Sequence, residues 1–227
     1  MKAKIILYVV ILAAVFQQSC APCYVPNVVN SPMLTTDKQL NASVHGGTSG
    51  FDMQTAYSPA EHWGVMLNGS YMNQTADSSD DYHKHIFAEA GVGYFVNLGK
   101  FGLLDAYAGA GMGRINSLQT SGIFGSEAHV MSARVFIQPS VSFVTDYFQS
   151  SLSLRTVMVH IWQGAVSDNG YFFEPTLTIK VGVPAIKLVA QAGLSLPANS
   201  HHVSFNYEPF IVSVGLQTQF NTGYKKR

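Results

Sequence analysis

From Leu40 to Phe220 the chain alternates apolar and polar residues one by one, in runs broken by connectors. Residues 152–156 read Leu-Ser-Leu-Arg-Thr, 177–181 read Leu-Thr-Ile-Lys-Val, and 212–220 read Val-Ser-Val-Gly-Leu-Gln-Thr-Gln-Phe. Successive side chains on a strand point to opposite faces, so each run predicts a ribbon with one apolar and one polar face. Ten such runs occupy 39–45, 51–58, 63–72, 86–98, 102–115, 130–145, 148–162, 173–183, 186–196 and 209–220. The connectors alternate as well. Those at 58–62, 97–102, 145–148 and 183–186 are tight, whereas 73–85, 116–129, 163–172 and 197–208 are longer and rich in Gly, Ser, Asn and Asp. Only the first hairpin, 45–50, is short where a long loop is expected. Strands joined in series this way predict an all-β fold, a closed antiparallel up-and-down barrel of about ten strands. One rim then carries the short turns and both ends of the barrel chain, and the other carries the long loops.

Period two does not say which face looks outward; residue chemistry does. Charged residues are 11% of the 227, against about 25% in soluble domains, while hydrophobic residues are 47%. The polar face consists largely of Gly, Ser, Asn, Thr and Gln. A barrel standing in water would carry Lys and Glu on its outer surface to stay dispersed. Aromatic residues gather near the run ends: Tyr57, Trp63, Tyr94, Phe95, Phe101, Phe143, Tyr147, Phe148 and Phe220 at the short turns, and Tyr71, Trp162, Tyr171, Phe172, Phe173 and Tyr207 toward the loops. Two aromatic belts are the habit of membrane-spanning structures. Together these features predict an apolar face turned to lipid, hence a transmembrane barrel. The formal net charge is zero, which gives no basis for binding nucleic acid.

The N-terminus reads as a secretion signal over 1–19. Lys2 and Lys4 precede a short apolar core at 5–16, and Ser19-Cys20 follows Gln17-Gln18. Residues 20–38 then read as a linker, 39–221 as the barrel and 222–227 as a polar tail. A small residue before a Cys resembles the lipobox of bacterial lipoproteins, which implies acylation of Cys20; ordinary cleavage, with Cys20 and Cys23 free or bridged, is the alternative.

The whole of 39–220 resembles small, porin-like bacterial outer-membrane β-barrel proteins. Ser213, Gly215 and Phe220 stand where that family's last strand carries its insertion signal. The resemblance implies an outer-membrane lipoprotein surrounded by outer-membrane lipids. Its N-terminus is expected in the periplasm and its long loops outside, where 122–125 (Gly-Ile-Phe-Gly) and 171–173 (Tyr-Phe-Phe) offer contacts to a surface partner. The function so implied is non-enzymatic: structural, surface-interacting or a minor transport role.

Three groups of residues are candidates for chemistry. Asp52, Glu89, Asp105, Glu174, Arg134, Arg155, Lys180 and Lys187 all fall on the polar face. In a narrow lumen they are expected to pair, because an unpaired buried charge costs several kcal/mol. The expectation is a hydrogen-bonded lumen; a narrow pore with a charged constriction is the alternative. His83 and His85, beside Asp80 and Asp81, together with His129, His201 and His202, could meet over the barrel mouth as metal ligands. Spacing fixes no such geometry, and neither metal nor cofactor is expected. His202-Val203-Ser204 with Glu208 is similar in residue types to the His-x-Ser site of lipid-deacylating barrels. A lipid hydrolase, or a tethered soluble periplasmic barrel holding an apolar ligand, are therefore the rival functions.

Overall fold

A computed structural model describes residues 22–75, 82–119, 126–198 and 205–222. The strands are β1 (Gln39–Gly47), β2 (Gly50–Ala60), β3 (Trp63–Thr75), β4 (Tyr82–Leu98), β5 (Gly102–Gln119), β6 (Ser126–Val144), β7 (Phe148–Gln163), β8 (Val166–Val183), β9 (Ile186–Leu194), β10 (Leu196–Pro197) and β11 (Phe210–Asn221). Each strand from β1 to β8 pairs antiparallel with the next, and β11 pairs with both β9 and β1. The ring closes as ten antiparallel strands in up-and-down order. The two residues of β10 prolong β9 along β8 in unbroken register.

Closure is staggered. Ser43 faces Gln54, and the row continues through Asn68, Glu89, Gly111, Arg134 and Val159 to Gly170 on β8. The other way round, Ser43 faces Gln217, then Lys187, then Gly182, again on β8. The two arms arrive twelve residues apart, a stagger that tilts ten strands by about 40°. Two prolines interrupt the ladder without shifting it. Pro139 lies where the β6–β7 pairing lapses between Ile137 and Ser140, and Pro175 where the β8–β9/β10 pairing lapses. Neither residue has an N–H to give.

The strands match the sequence reading at the turn rim and outrun it at the loop rim. β4 begins at Tyr82, β5 runs to Gln119, β6 begins at Ser126 and β8 begins at Val166. The long connector expected at 163–172 is instead a hairpin closed by Gly164-Ala165, with Ser167, Asp168 and Asn169 paired to Trp162, Ile161 and His160. Beyond the apolar girdle a ladder needs no alternating face, so the pattern fades while the backbone pairing continues.

The two faces have the sense that the residue chemistry predicts. Val65, Leu67, Val92, Val135, Ile137, Leu152, Leu177, Val181, Leu188, Val214 and Leu216 all stand exposed on the outside. Asn41, Gln54, Asn68, Gln138, Ser153, Thr178, Gln191 and all eight candidate charges are buried inside. At the turn rim, outward Trp63 and Tyr94 meet edge to face at 5.5 Å, and Phe143 lies between Phe101 and Phe148. Three aromatics assigned to the belts pack on the interior instead, Tyr207 among them at 5.2 Å from Phe172. Phe95 is buried beside His62, and Phe172 packs on Tyr24 at 4.6 Å.

The largest departure concerns residues 22–38. They are extended and without alternation, as a linker should be, but they run inside the barrel. Tyr24, Val28, Val29, Met33 and Leu34 are each no more than 2% exposed. The segment begins at the loop rim, where the Cys23 and Tyr24 N–H groups donate to the Asn206 carbonyl. It ends at the turn rim, where the Lys38 N–H donates to Ser58 and the Lys38 carbonyl accepts from Thr222.

Candidate functional site: a polar lumen threaded by the N-terminal segment

The wall strands spend their backbone groups on one another, so a lone extended segment between them must find side-chain partners. It does so residue by residue. The carbonyl of Val28 accepts from Gln54 on β2 (2.6 Å), that of Val29 from Gln191 on β9 (2.8 Å) and that of Asn30 from Gln138 on β6 (2.7 Å). The Ser31 carbonyl accepts from Lys180 on β8 (2.7 Å) and the Pro32 carbonyl from Asn41 on β1 (2.6 Å). Gln191 also accepts from the Val29 N–H at 2.7 Å, so one primary amide satisfies both backbone groups of one residue. Five consecutive carbonyls are held by five different strands.

The side chains of the segment join the lumen chemistry. Asn30 donates to Asn68 at 2.6 Å, and the Ser31 hydroxyl lies 3.2 Å from Ser153 and 3.1 Å from Thr178. Asn27 enters the charge cluster. Its carboxamide oxygen accepts from Arg134 and, at 3.1 Å, from Arg155, while its nitrogen donates to Glu89 at 3.1 Å.

The register explains why four charges meet there. Arg155 and Glu174 are direct cross-strand partners, joined at 2.6 Å. Glu89 and Arg134 lie two strands apart on one row with Gly111 between them, and the long Arg side chain crosses that gap to 2.8 Å. A Cβ on Gly111 would stand 2.6 Å from that of Glu89, so glycine keeps the gap passable. Arg155 also approaches Glu89 at 3.4 Å, linking the pairs into a neutral quartet. The Phe87 ring covers the Arg134 guanidinium at 3.6 Å. Tyr24 (2.5 Å) and Ser195 (3.1 Å) donate to Glu174, and Asn68 (2.8 Å) donates to Glu89.

Of the other four candidate charges, three bind neutral groups. Lys180 holds the Ser31 carbonyl and Gln217; Lys187 caps the Val183 and Pro184 carbonyls at the turn rim. Asp52 accepts from Ser49 at 2.5 Å. Asp105 lies inward opposite Ser140 and forms no salt bridge among the described residues. The expectation of charge pairing thus describes half the set.

The lumen also has an apolar part that the polar-face reading missed. Met66, Phe95, Leu103, Tyr107, Phe136, Val157, Val159 and Ile161 point inward and form one buried cluster with Tyr24, Met33, Leu34 and Phe172. Several inward glycines serve these large neighbours. A Cβ on Gly93 would enter the Tyr107 ring, and one on Gly109 the Phe136 ring.

The remaining candidates separate. His83 and His85 meet edge to face at the end of β4, 3.0 Å between ring nitrogens, with His85 against Ser70 at 3.1 Å. His129 lies 2.7 Å from Glu127 on the exposed end of β6. No cluster of three metal-ligating side chains exists among the described residues. Cys20, Asp80, Asp81, residues 122–125, His201, His202 and Ser204 lie outside the described residues. Glu208 is described: its carboxylate accepts from the Phe210 N–H at 3.2 Å, its own N–H donates to the Tyr24 carbonyl, and burial raises its carboxyl above the ordinary value.

The N-terminal segment left a signal in the sequence. Between Ala21 and Asp37 there is no charged residue, and Val28, Val29, Met33 and Leu34 are poor linker residues in water. Inward Gln54, Gln138, Gln191 and Asn41 are amides that both donate and accept, as a peptide ligand requires. No protein-family model matches the chain and no curated protein matches it, so any function is argued from this threaded lumen and from the apolar girdle around it.

Proposed function

We propose that the chain is an integral outer-membrane β-barrel, closed to bulk flow by its own N-terminal segment, whose role is structural or exercised through the surface of its loop rim. The observation that carries this is the inversion of the molecule. A continuous girdle of exposed Val, Leu, Ile and Met surrounds a buried polar lumen. Water-soluble monomers rarely expose contiguous apolar patches beyond a few hundred Å², and a girdle of this extent calls for lipid. The aromatic ring at the turn rim and the roughly 40° tilt agree with that environment. A soluble barrel holding an apolar ligand would need a free apolar cavity, and residues 24–34 occupy the interior.

The test has two parts. The protein in its native membrane should resist alkaline extraction, and its purified form should migrate differently on gels before and after heating. Reconstituted in planar bilayers, it should show no large steady conductance. Release at alkaline pH as a folded, detergent-free monomer would refute the membrane reading, and reproducible porin-sized channels would refute closure.

A further inference from the structure

We infer that the chain threads its own barrel, so that Pro22 and everything before it, Cys20 included, leaves at the loop rim, on the opposite side from the C-terminus. The inference rests on the membrane reading above for which side faces the exterior, but the threading itself comes from contacts at three depths. At the loop rim Tyr24 forms a parallel bridge with Tyr207, framed by hydrogen bonds from Cys23 and Tyr24 to Asn206 and from Glu208 to Tyr24. In mid-lumen the five carbonyls from Val28 to Pro32 are held as described. At the turn rim Asn97 donates to the Thr35 carbonyl, and Lys38 joins Ser58 and Thr222.

A barrel with an even number of strands puts both ends of its strand sequence on one rim, and here Gln39 and Asn221 pair directly. The threaded segment cancels that symmetry for the N-terminus alone. Cys20 is three residues from Cys23, a reach of at most about 10 Å. An acyl group on Cys20 therefore enters the leaflet on the loop side, the exterior leaflet, and not the periplasmic one. This corrects the placement that strand parity alone implies.

The experiment uses the full chain with one short epitope at a time: between Ala21 and Pro22, within 120–125, or after Arg227. Antibody binding is compared on intact and permeabilised cells. The N-terminal epitope is expected to behave as the loop epitope does, accessible on intact cells, with the C-terminal epitope reached only after permeabilisation. An N-terminal epitope that groups with the C-terminal one overturns the threading, whichever side the loops face. Loops accessible only after permeabilisation, with the N-terminal epitope still grouped with them, would overturn the orientation and leave the threading standing. A second measurement needs no insertion. Asn206→Cys is expected to form a disulfide with Cys23 on mild oxidation of the purified protein, and failure to cross-link in a heat-modifiable, folded sample overturns the threading.

Discussion

Replacing Glu89 by Gln tests the quartet with little change of shape. Glu89 accepts from Arg134 Nε (3.0 Å) and Nη2 (2.8 Å), Arg155 (3.4 Å), Asn27 (3.1 Å) and Asn68 (2.8 Å), so the substitution removes charge from a group with five donors around it. Arg155 keeps Glu174 at 2.6 Å. The orphaned charge is that of Arg134, left with the Asn27 carboxamide and the Phe87 ring. Breaking one side of a buried pair costs about 3–5 kcal/mol, and the surviving Asn27 contact places this case near 3. With a slope of about 1–3 kcal/mol per molar urea, the unfolding midpoint falls by about 1–3 M. The assay is urea unfolding of lipid-reconstituted protein, followed by the heat-modifiable gel shift and by Trp fluorescence. Adding Arg134→Gln restores a neutral lumen and should recover part of the loss, with a coupling of about 1–3 kcal/mol. A Glu89→Gln loss below about 0.5 kcal/mol, or additive single changes, would refute the claim that these charges balance one another.

Excision of residues 24–34, with the strands left intact, should convert a silent barrel into one that conducts in planar bilayers; a silent excised form that is still heat-modifiable would refute the view that this segment closes the lumen. Gly111→Val should lower stability by about 1–3 kcal/mol, because its side chain would collide with Glu89 and the Ala88 carbonyl. Burial raises the Glu208 carboxyl above its ordinary value, so this group opposes folding increasingly as pH rises from the unfolded toward the folded value, then by a constant amount above it. The difference in thermal midpoint between wild type and Glu208→Gln should therefore change sign-consistently in favour of the variant on going from pH 4 to pH 7.

The barrel was legible because period two is a strong signal and because composition told the two faces apart. Phase separates Val65, Leu67 and Val135 from Glu89, Arg134 and Arg155, and residue chemistry turns the first set outward and the second inward. Strand ends at the loop rim were not legible. Ser167-Asp168-Asn169 has the composition of a turn, and only pairing with β7 makes it a strand. The inward placement of Phe95, Tyr107, Phe136 and Phe172 was hidden for a related reason: an aromatic on a strand packs against either lipid or a neighbouring glycine, and which strand brings that glycine is a matter of register. Threading was the least accessible feature, since Asn27-Val28-Val29-Asn30 finds its partners on strands distant in sequence. Its lack of charge and its apolar Val28, Val29, Met33 and Leu34 are the local traces.

The way the lumen holds this segment leads to a last prediction. Wall side chains contact chiefly its main chain, so a single amide can be removed while the barrel's own ladder remains intact. Gln191 is the sharpest case, because two of its hydrogen bonds satisfy both the N–H and the carbonyl of Val29, and a third goes to Thr178. Gln191→Leu leaves both groups buried without those partners, at about 1–3 kcal/mol each. The loss should localise. Backbone amides of 27–31 should exchange hydrogen faster, by up to about two orders of magnitude for 3 kcal/mol, while those of β1, β9 and β11 keep their protection. Intermittent conductance should accompany it as the segment shifts. If Gln191→Leu instead lowers protection equally through the wall strands and the segment, the two form one cooperative unit, and the segment is a core element of the barrel, not a ligand lodged within it.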